Sequence, residues 1–186
     1  IASSLVGSEM CIRDRDGLSL INGTSLITGM LAVSVEQLRL LTTYSDIVAA
    51  MSIDATDSSL TPFDQRIHEI RPHPGQIFVA QRICQILVDS QIVSNSSNSK
   101  RVQDPYSFRC IPQVHGPVNE SLEKLIQTVD VELNSSTDNP LIFPDVERPG
   151  SHEVMSQGNF HGEVLALVAD SMSLGLFELS SISERR

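Results

Sequence analysis

Apolar residues recur three and four positions apart along most of the chain, which is the spacing of one face of an α-helix. The longest such stretch starts at Thr24 and continues through Leu41, and an apolar group at residues 48–51 either extends it or starts a second helix. Shorter helices are predicted over residues 64–70, 76–93 and 118–133. Residues 160–186 are apolar nearly all round, which predicts one long helix buried inside a bundle.

Polar and proline-containing stretches separate these helices. They cover residues 56–62, 94–100, 102–116 and 134–159. The last of them carries Asn139-Pro140, Pro144 and Pro149-Gly150, and we expect it to be loop. The sequence therefore predicts a mainly α fold with little strand, a bundle of long helices joined by irregular loops.

Charge and composition exclude several classes of function. Thirteen basic against twenty-three acidic residues give a net charge of -10, which argues against nucleic-acid binding. The longest unbroken aliphatic run, residues 164–169, is far shorter than the roughly 20 residues that span a bilayer, so no membrane is expected. Three widely spaced cysteines favour a reducing compartment, and we expect a cytoplasmic protein. His68 and His73 flank Pro72, which does not favour a zinc site, and no metal is expected.

Both ends of the sequence differ from its middle. Residues 1–15 show no sustained period, and we interpret them as a non-native lead. At residues 183–186 the apolar pattern stops without the glycine or proline that normally follows a helix. We therefore expect residues 16–186 to be the central part of a single helical domain, incomplete at both ends.

Polar residues crowd into three irregular places, residues 21–24, 103–109 and 158–163. Each has a local interpretation, because Asn22 or Asn159 could cap a helix and Arg109 could lie in a surface turn. Three such clusters on one helical scaffold favour instead a site that is assembled from loops.

Arg109 carries the most specific chemistry of these residues. Its planar guanidinium can grip a carboxylate through two parallel hydrogen bonds. Gln103 and Asn22 supply amides that can donate to a carbonyl or an oxyanion, and Tyr106 can orient or transfer a proton. This set suits an amino acid substrate that is held by its carboxylate.

Six motifs, in order from about residue 16 to the end, resemble the histidine and aromatic amino acid ammonia-lyase family. They are LSLINGT (18–24), RVQDPYSFRC (101–110), PQVHG (112–116), NSSTDNP (134–140), GNFHGE (158–163) and ISERR (182–186). The second, third and fifth are spelled more like the histidine branch of the family than the phenylalanine branch.

The resemblance implies a helical homotetramer that removes ammonia non-oxidatively from L-histidine and leaves trans-urocanate. It also implies an electrophilic prosthetic group, 4-methylideneimidazol-5-one (MIO), which the family forms from an internal Ala-Ser-Gly. No Ala-Ser-Gly occurs in this sequence. The resemblance places that tripeptide and a catalytic tyrosine before these residues and a substrate-binding glutamate after them, so the chain alone is expected to be inactive.

The resemblance also implies a role for each candidate residue. Arg109 binds the substrate carboxylate, and Asn22 helps to hold the substrate or the prosthetic group. Gln103 and Tyr106 are catalytic residues that line the site, and Phe160 packs near the electrophile. In the tetramer these residues come from different chains.

Three alternatives stay open at this point. A phenylalanine or tyrosine ammonia-lyase, or a related aminomutase, differs from a histidine enzyme only in individual residues within these motifs. A helical protein that has lost the site is disfavoured by the intact candidate residues. Argininosuccinate lyase and fumarase share the helical architecture, but they would need a mobile serine loop that this sequence lacks.

Overall fold

A computed structural model of the chain describes residues 17–18, 21–95 and 102–186. The expected lead, residues 1–15, and most of the expected loop at residues 94–100 lie outside the described residues. The chain divides into two compact units. The first unit comprises the described residues within 1–33 and 126–167, and the second comprises those within 34–125 and 168–186.

The described residues are mostly helical, which confirms the predicted fold class. They are α1 (Ser25–Ala55), α2 (Gln65–Glu69), α3 (Pro74–Ile86), α4 (Gln91–Asn95), α5 (Tyr106–Arg109), α6 (Ile111–Leu133) and α7 (Glu163–Glu184). A 3-10 turn covers Thr61–Phe63, and strands β1 (Leu141–Pro144) and β2 (His152–Met155) form a hairpin. Residues 48–51 continue the first helix, because α1 runs without a break to Ala55.

The second unit contains the main hydrophobic core. Its buried members include Ala49, Ala50, Ile53, Val79, Ala80, Ile83 and Ile111. Within this unit α3 and α6 approach each other closely, since a Cβ on Gly75 would lie 2.2 Å from the carbonyl oxygen of Gly116. The backbone N–H of Gly75 also donates to Glu120 Oε1 over 2.8 Å. Two glycines and one carboxylate thus fix where α6 crosses α3.

The helix predicted over residues 76–93 is in fact two helices. α3 ends at Ile86, and α4 starts at Gln91. Ser90 separates them because its Oγ accepts from the backbone N–H of Val93 over 3.1 Å, as an N-cap residue does. Val88 lies in the break between the two helices and is 76% exposed.

α6 is longer than the prolines in its first half suggested. The predicted helix began at residue 118, whereas α6 begins at Ile111. Pro112 lies in the first turn, where no backbone donor is required. Pro117 lies inside the helix, where a proline removes one hydrogen bond and its ring crowds the carbonyl four residues earlier. Full burial of Ile111 and 2% exposure of Val118 supply the packing that keeps this part helical.

The first unit contains a hairpin where the sequence predicted only loop. β1 and β2 pair antiparallel, with Leu141 opposite Met155 and Pro144 opposite His152. Gly150, with a φ of +88°, lies in the connection between the strands. Nearly all the strand residues are exposed, so the alternation that reveals a half-buried strand is missing from the sequence.

α7 begins at Glu163, three residues later than predicted, and within this chain only one side of it is buried. Its buried residues are Leu165, Val168, Met172, Leu179 and Ile182, whereas Leu167, Leu174 and Phe177 are 63%, 71% and 68% exposed. The helix is long and apolar enough to cross a membrane, with a mean hydropathy of 1.4. A core helix of a soluble protein passes the same test, so burial on all sides stays a prediction for the complete protein.

Candidate active site

Helix α5 carries two of the predicted site residues on a single turn. The carbonyl of Pro105 accepts from the backbone N–H groups of Phe108 and Arg109 over 3.0 and 3.1 Å. Ser107 and Phe108 face the interior with 8% and 7% exposure, which leaves Tyr106 72% exposed. The turn therefore presents Tyr106 outward while its middle residues anchor it.

Arg109 is held against the neighbouring tyrosine. Its guanidinium carbon lies 4.6 Å from the centroid of the Tyr106 ring, within range of a cation–π interaction. Its Nε is buried and has no hydrogen-bond partner among the described residues. A buried donor without a partner costs about 1–3 kcal/mol, so the position suits an acceptor that the described part of the chain does not supply.

Gln103 lies on the loop that leads into α5 and is exposed. The adjacent Asp104 ties this loop to the rest of the second unit, because its Oδ2 accepts from the backbone N–H of Ser59 over 2.8 Å. Gln103, Tyr106 and Arg109 thus belong to one anchored segment of seven residues, 103–109.

A buried network that the sequence analysis did not select as part of the site lies within the same unit. Asp46 and His115 are fully buried, and His115 Nδ1 lies 2.6 Å from Asp46 Oδ1. Arg82 Nη1 donates to Asp46 Oδ2 over 2.9 Å. Arg186 Nη2 lies 3.4 Å from His115 Nε2, and its Nε donates to the carbonyl of Ser107 over 3.2 Å. The sequence did contain a signal for this histidine, because His115 falls within the motif PQVHG.

The first unit places the segments of Asn22 and Phe160 beside each other. Asn22 is half-buried just before α1, and its backbone N–H donates to the carbonyl of Leu18 over 2.7 Å. A Cβ on Gly162 would lie 3.8 Å from Thr24 Cγ2, so the two loops are in van der Waals range. Thr24 is 1% exposed, and its Oγ1 has no hydrogen-bond partner among the described residues.

Phe160 lies in an irregular turn with 36% exposure. Asn159 beside it does not cap α7, contrary to its local interpretation, but donates from Nδ2 to the carbonyl of Ser136 over 3.3 Å. His161 lies one residue before the N-cap Gly162, and its Nδ1 accepts from the backbone N–H of Glu163 over 3.3 Å. A histidine can do this only while that nitrogen is unprotonated.

The five candidate residues therefore fall into two groups. Gln103, Tyr106 and Arg109 share one segment of the second unit, and Asn22 and Phe160 lie on adjacent segments of the first. Their catalytic and binding roles stay predictions. Among the residues that the structure describes, no group of three histidine, cysteine or acidic side chains could hold a metal ion.

A model of the aromatic amino acid lyase family matches residues 7–186. The chain belongs to the aromatic amino acid lyase family. It is 42% identical to a histidine ammonia-lyase of Myxococcus xanthus over 172 residues, which cover 92% of this chain and 33% of that protein. The chain thus spans about a third of the length of the curated relatives it matches.

Solved structures of the family share the fold of this chain. A histidine ammonia-lyase from Trypanosoma cruzi superimposes with a TM-score of 0.76 at 41% identity, over 91% of this chain and 30% of that one. A phenylalanine aminomutase from Pantoea agglomerans gives a TM-score of 0.79 at 32% identity, over 91% of this chain and 35% of that one. Shape does not separate these two lyase-family activities, whereas sequence identity is higher for the histidine enzyme.

Proposed function

We propose that the complete protein removes ammonia from L-histidine without oxidation and releases trans-urocanate. The observation that carries this proposal is Arg109, whose guanidinium is held on the Tyr106 ring while its buried Nε has no acceptor among the described residues. A carboxylate satisfies such a donor and matches the planar fork. Histidine is favoured over other amino acids by the 41% and 42% identities to histidine ammonia-lyases.

Each candidate residue has a role in this proposal. Arg109 binds the carboxylate of the substrate, and Tyr106, stacked against it, moves or orients a proton at its hydroxyl. Gln103 is the second catalytic residue and donates or accepts a hydrogen bond through its amide. Asn22 holds the substrate or the prosthetic group through its side-chain amide, and Phe160 excludes water beside that group.

The prosthetic group of the family, MIO, is part of the proposal, although this chain has no Ala-Ser-Gly from which to form it. When bound, MIO supplies an electrophile to the substrate. The segment around Asn22 fits a polar group of this kind, because the buried Thr24 Oγ1 lacks a partner among the described residues. A Cβ on Gly158, near Phe160, would meet no atom within 4 Å, so that turn also leaves room. The chain by itself is proposed to be inactive.

We further propose that the complete protein works as a cytoplasmic homotetramer that binds neither nucleic acid nor membrane. The apolar residues that α7 leaves exposed in this chain support association, since large exposed apolar patches mark interfaces. They include Leu167, Leu174 and Phe177. The net charge of -10 disfavours contact with phosphate backbones. We also propose that residues 16–186 are the central part of one helical domain.

The test is to incubate the complete protein with L-histidine, L-phenylalanine and L-tyrosine and to follow the ultraviolet absorbance of the unsaturated acids. We expect urocanate from histidine and little product from the other two. Cinnamate or coumarate as the main product would instead support the aromatic ammonia-lyase alternative.

An aminomutase is the second candidate, because the Pantoea agglomerans enzyme matches this fold with a TM-score of 0.79. It would convert an α-amino acid into a β-amino acid and would accumulate little unsaturated acid. Chromatography of the amino acids after the same incubation separates the two activities. The isolated chain of 186 residues, assayed in parallel, should form neither product.

A further inference from the structure

We propose that Asp46, His115 and Arg186 form a positioning relay that holds α5, and thereby Tyr106 and Arg109, in the orientation that binds the substrate. This inference rests on the proposed function, because it assigns how the carboxylate-binding residue is kept in place. All five residues belong to the second unit.

The direction of the hydrogen bonds in the relay follows from the chemistry of its members. An arginine only donates, so the contact of 3.4 Å between Arg186 Nη2 and His115 Nε2 requires that Nε2 accept. The proton of a neutral imidazole then lies on Nδ1, which donates to Asp46 Oδ1 over 2.6 Å. The relay therefore runs from the Asp46 carboxylate through a neutral His115 to Arg186.

Two arginines and one aspartate supply the charges around the imidazole. Arg82 already neutralises Asp46, since its Nη1 lies 2.9 Å from Asp46 Oδ2. Arg186 adds a second guanidinium on the other side of the imidazole, so a proton on His115 Nε2 would face a cation. Burial lowers the pKa of the Arg186 guanidinium, and the carboxylate of Asp46 opposes that shift.

The relay ends on the backbone of the turn that carries the proposed substrate-binding residues. Arg186 Nε donates to the carbonyl of Ser107 over 3.2 Å, between Tyr106 and Arg109 in the chain. A helical turn as short as α5 is not stable on its own, so its direction depends on contacts outside it. A hydrogen bond from a charged donor is about twice as strong as one between neutral groups, so this contact can hold the turn.

Two substitutions of His115 separate the two halves of the relay. In His115→Gln the side-chain oxygen can take the place of Nε2 and accept from Arg186, whereas in His115→Asn the shorter amide reaches only the position of Nδ1. The matched control is His68→Asn, which alters another buried histidine of the same unit that contacts Gln76 and Pro62 rather than the relay. All three variants are made in the complete protein.

The first readout needs no activity. We expect hydrogen–deuterium exchange of the amides at residues 106–110 to accelerate by about tenfold in His115→Asn, and much less in His115→Gln and His68→Asn. The hairpin, residues 141–155, should exchange unchanged in all three. Equal exchange of residues 106–110 in the Asn and Gln variants would overturn the relay, whether or not the protein deaminates histidine.

The second readout is kinetic and tests coupling to Arg109. We expect His115→Asn to raise KM for the amino acid by about tenfold with a smaller change in kcat, because a carboxylate contact serves substrate and transition state alike. His68→Asn should lower the melting temperature and leave KM unchanged. In the Arg109→Lys background the effect of His115→Asn should shrink to about twofold, since Arg109 no longer makes the contact that is positioned. A full tenfold effect in that background would overturn the inference and leave the proposed activity intact.

Discussion

Two motif-bearing segments of the chain are held in place by different forces. Residues 103–116 are anchored by buried residues, namely the fully buried Ile111 and the charged network around His115. Residues 134–162 are held mainly at the surface, where side chains cap and bridge the backbone. Asn139 Oδ1, for instance, accepts from the N–H of Gln157 over 2.9 Å.

The difference indicates how far the effect of a substitution travels. In the first segment a side chain is coupled through buried bonds of low local dielectric, so a change at one residue shifts its neighbours. In the second segment most of the side-chain hydrogen bonds are exposed to water, which can replace them, so most changes stay local. Matched substitutions in the two segments should therefore differ in size.

The largest expected difference is between two arginines. Arg109→Lys in the complete protein keeps the charge but loses the planar fork, and should reduce kcat/KM by roughly 30- to 1000-fold, or about 2–4 kcal/mol. Arg148→Lys in the second segment, where the arginine pairs with Asp145 at the surface, should change kcat/KM by less than about twofold. Steady-state kinetics of both variants checks this, and near-normal rates for Arg109→Lys would make that residue structural.

The next contrast is between two glycines. A Cβ on Gly116 would lie 2.6 Å from the backbone nitrogen of Gln76, which cannot move without shifting α3. Gly116→Ala should therefore lower the free energy of unfolding by about 1–3 kcal/mol or more. A Cβ on Gly158 would meet nothing within 4 Å, and Gly158→Ala should change the free energy of unfolding by less than about 0.5 kcal/mol. Urea unfolding of the complete protein measures both, and equal effects would mean that the contact between α3 and α6 can relax.

The same contrast explains what could be read from the sequence. The long helices could be predicted, because a helix with one buried face has apolar residues that recur with a period of 3.6. The start of α6 could not be predicted, because Pro112 and Pro117 are residues that usually interrupt a helix. The hairpin could not be predicted either, because strands exposed on both faces show no alternation of apolar and polar residues. The candidate site residues were selected through polar clusters in loops, and their roles stay predictions. Asp46, by contrast, lies within a helix, and only the fold brings it to His115.

A complementation experiment asks whether the two segments serve one pocket in the assembled protein. If Arg109 and Phe160 of different chains complete the same site, mixing two inactive full-length variants, Arg109→Ala and Phe160→Ala, should restore activity. Random exchange of subunits would leave about a quarter of the pockets with both residues intact. The assay follows urocanate after the mixture is dissociated and reassembled. Activity no higher than that of the separate variants would show that both residues reach the pocket from one chain.

The smallest expected effect is on the pH dependence of stability. Burial lowers the pKa of His68 below its usual value of 6.5, although the carbonyl of Pro62, which accepts from Nε2, opposes the shift. Nδ1 contacts the Gln76 amide over 2.9 Å and must stay unprotonated to accept from it. Below pH 6.5 the unfolded chain therefore binds a proton at His68 that the folded chain does not, so His68 makes stability fall as the pH drops and costs nothing above that pH.

Replacing this histidine should flatten that dependence. His68→Asn is expected to lower the melting temperature at neutral pH, because a buried side chain with two hydrogen bonds is lost. Between neutral and mildly acidic pH, however, the variant should lose less additional stability than the unsubstituted protein. His152→Asn, on the exposed hairpin, controls for the loss of an imidazole and should show the slope of the unsubstituted protein. Melting curves across that range measure the slopes. A slope for His68→Asn as steep as that of the unsubstituted protein would mean that His68 is protonated equally in the folded and unfolded chains, and that its burial does not govern acid stability.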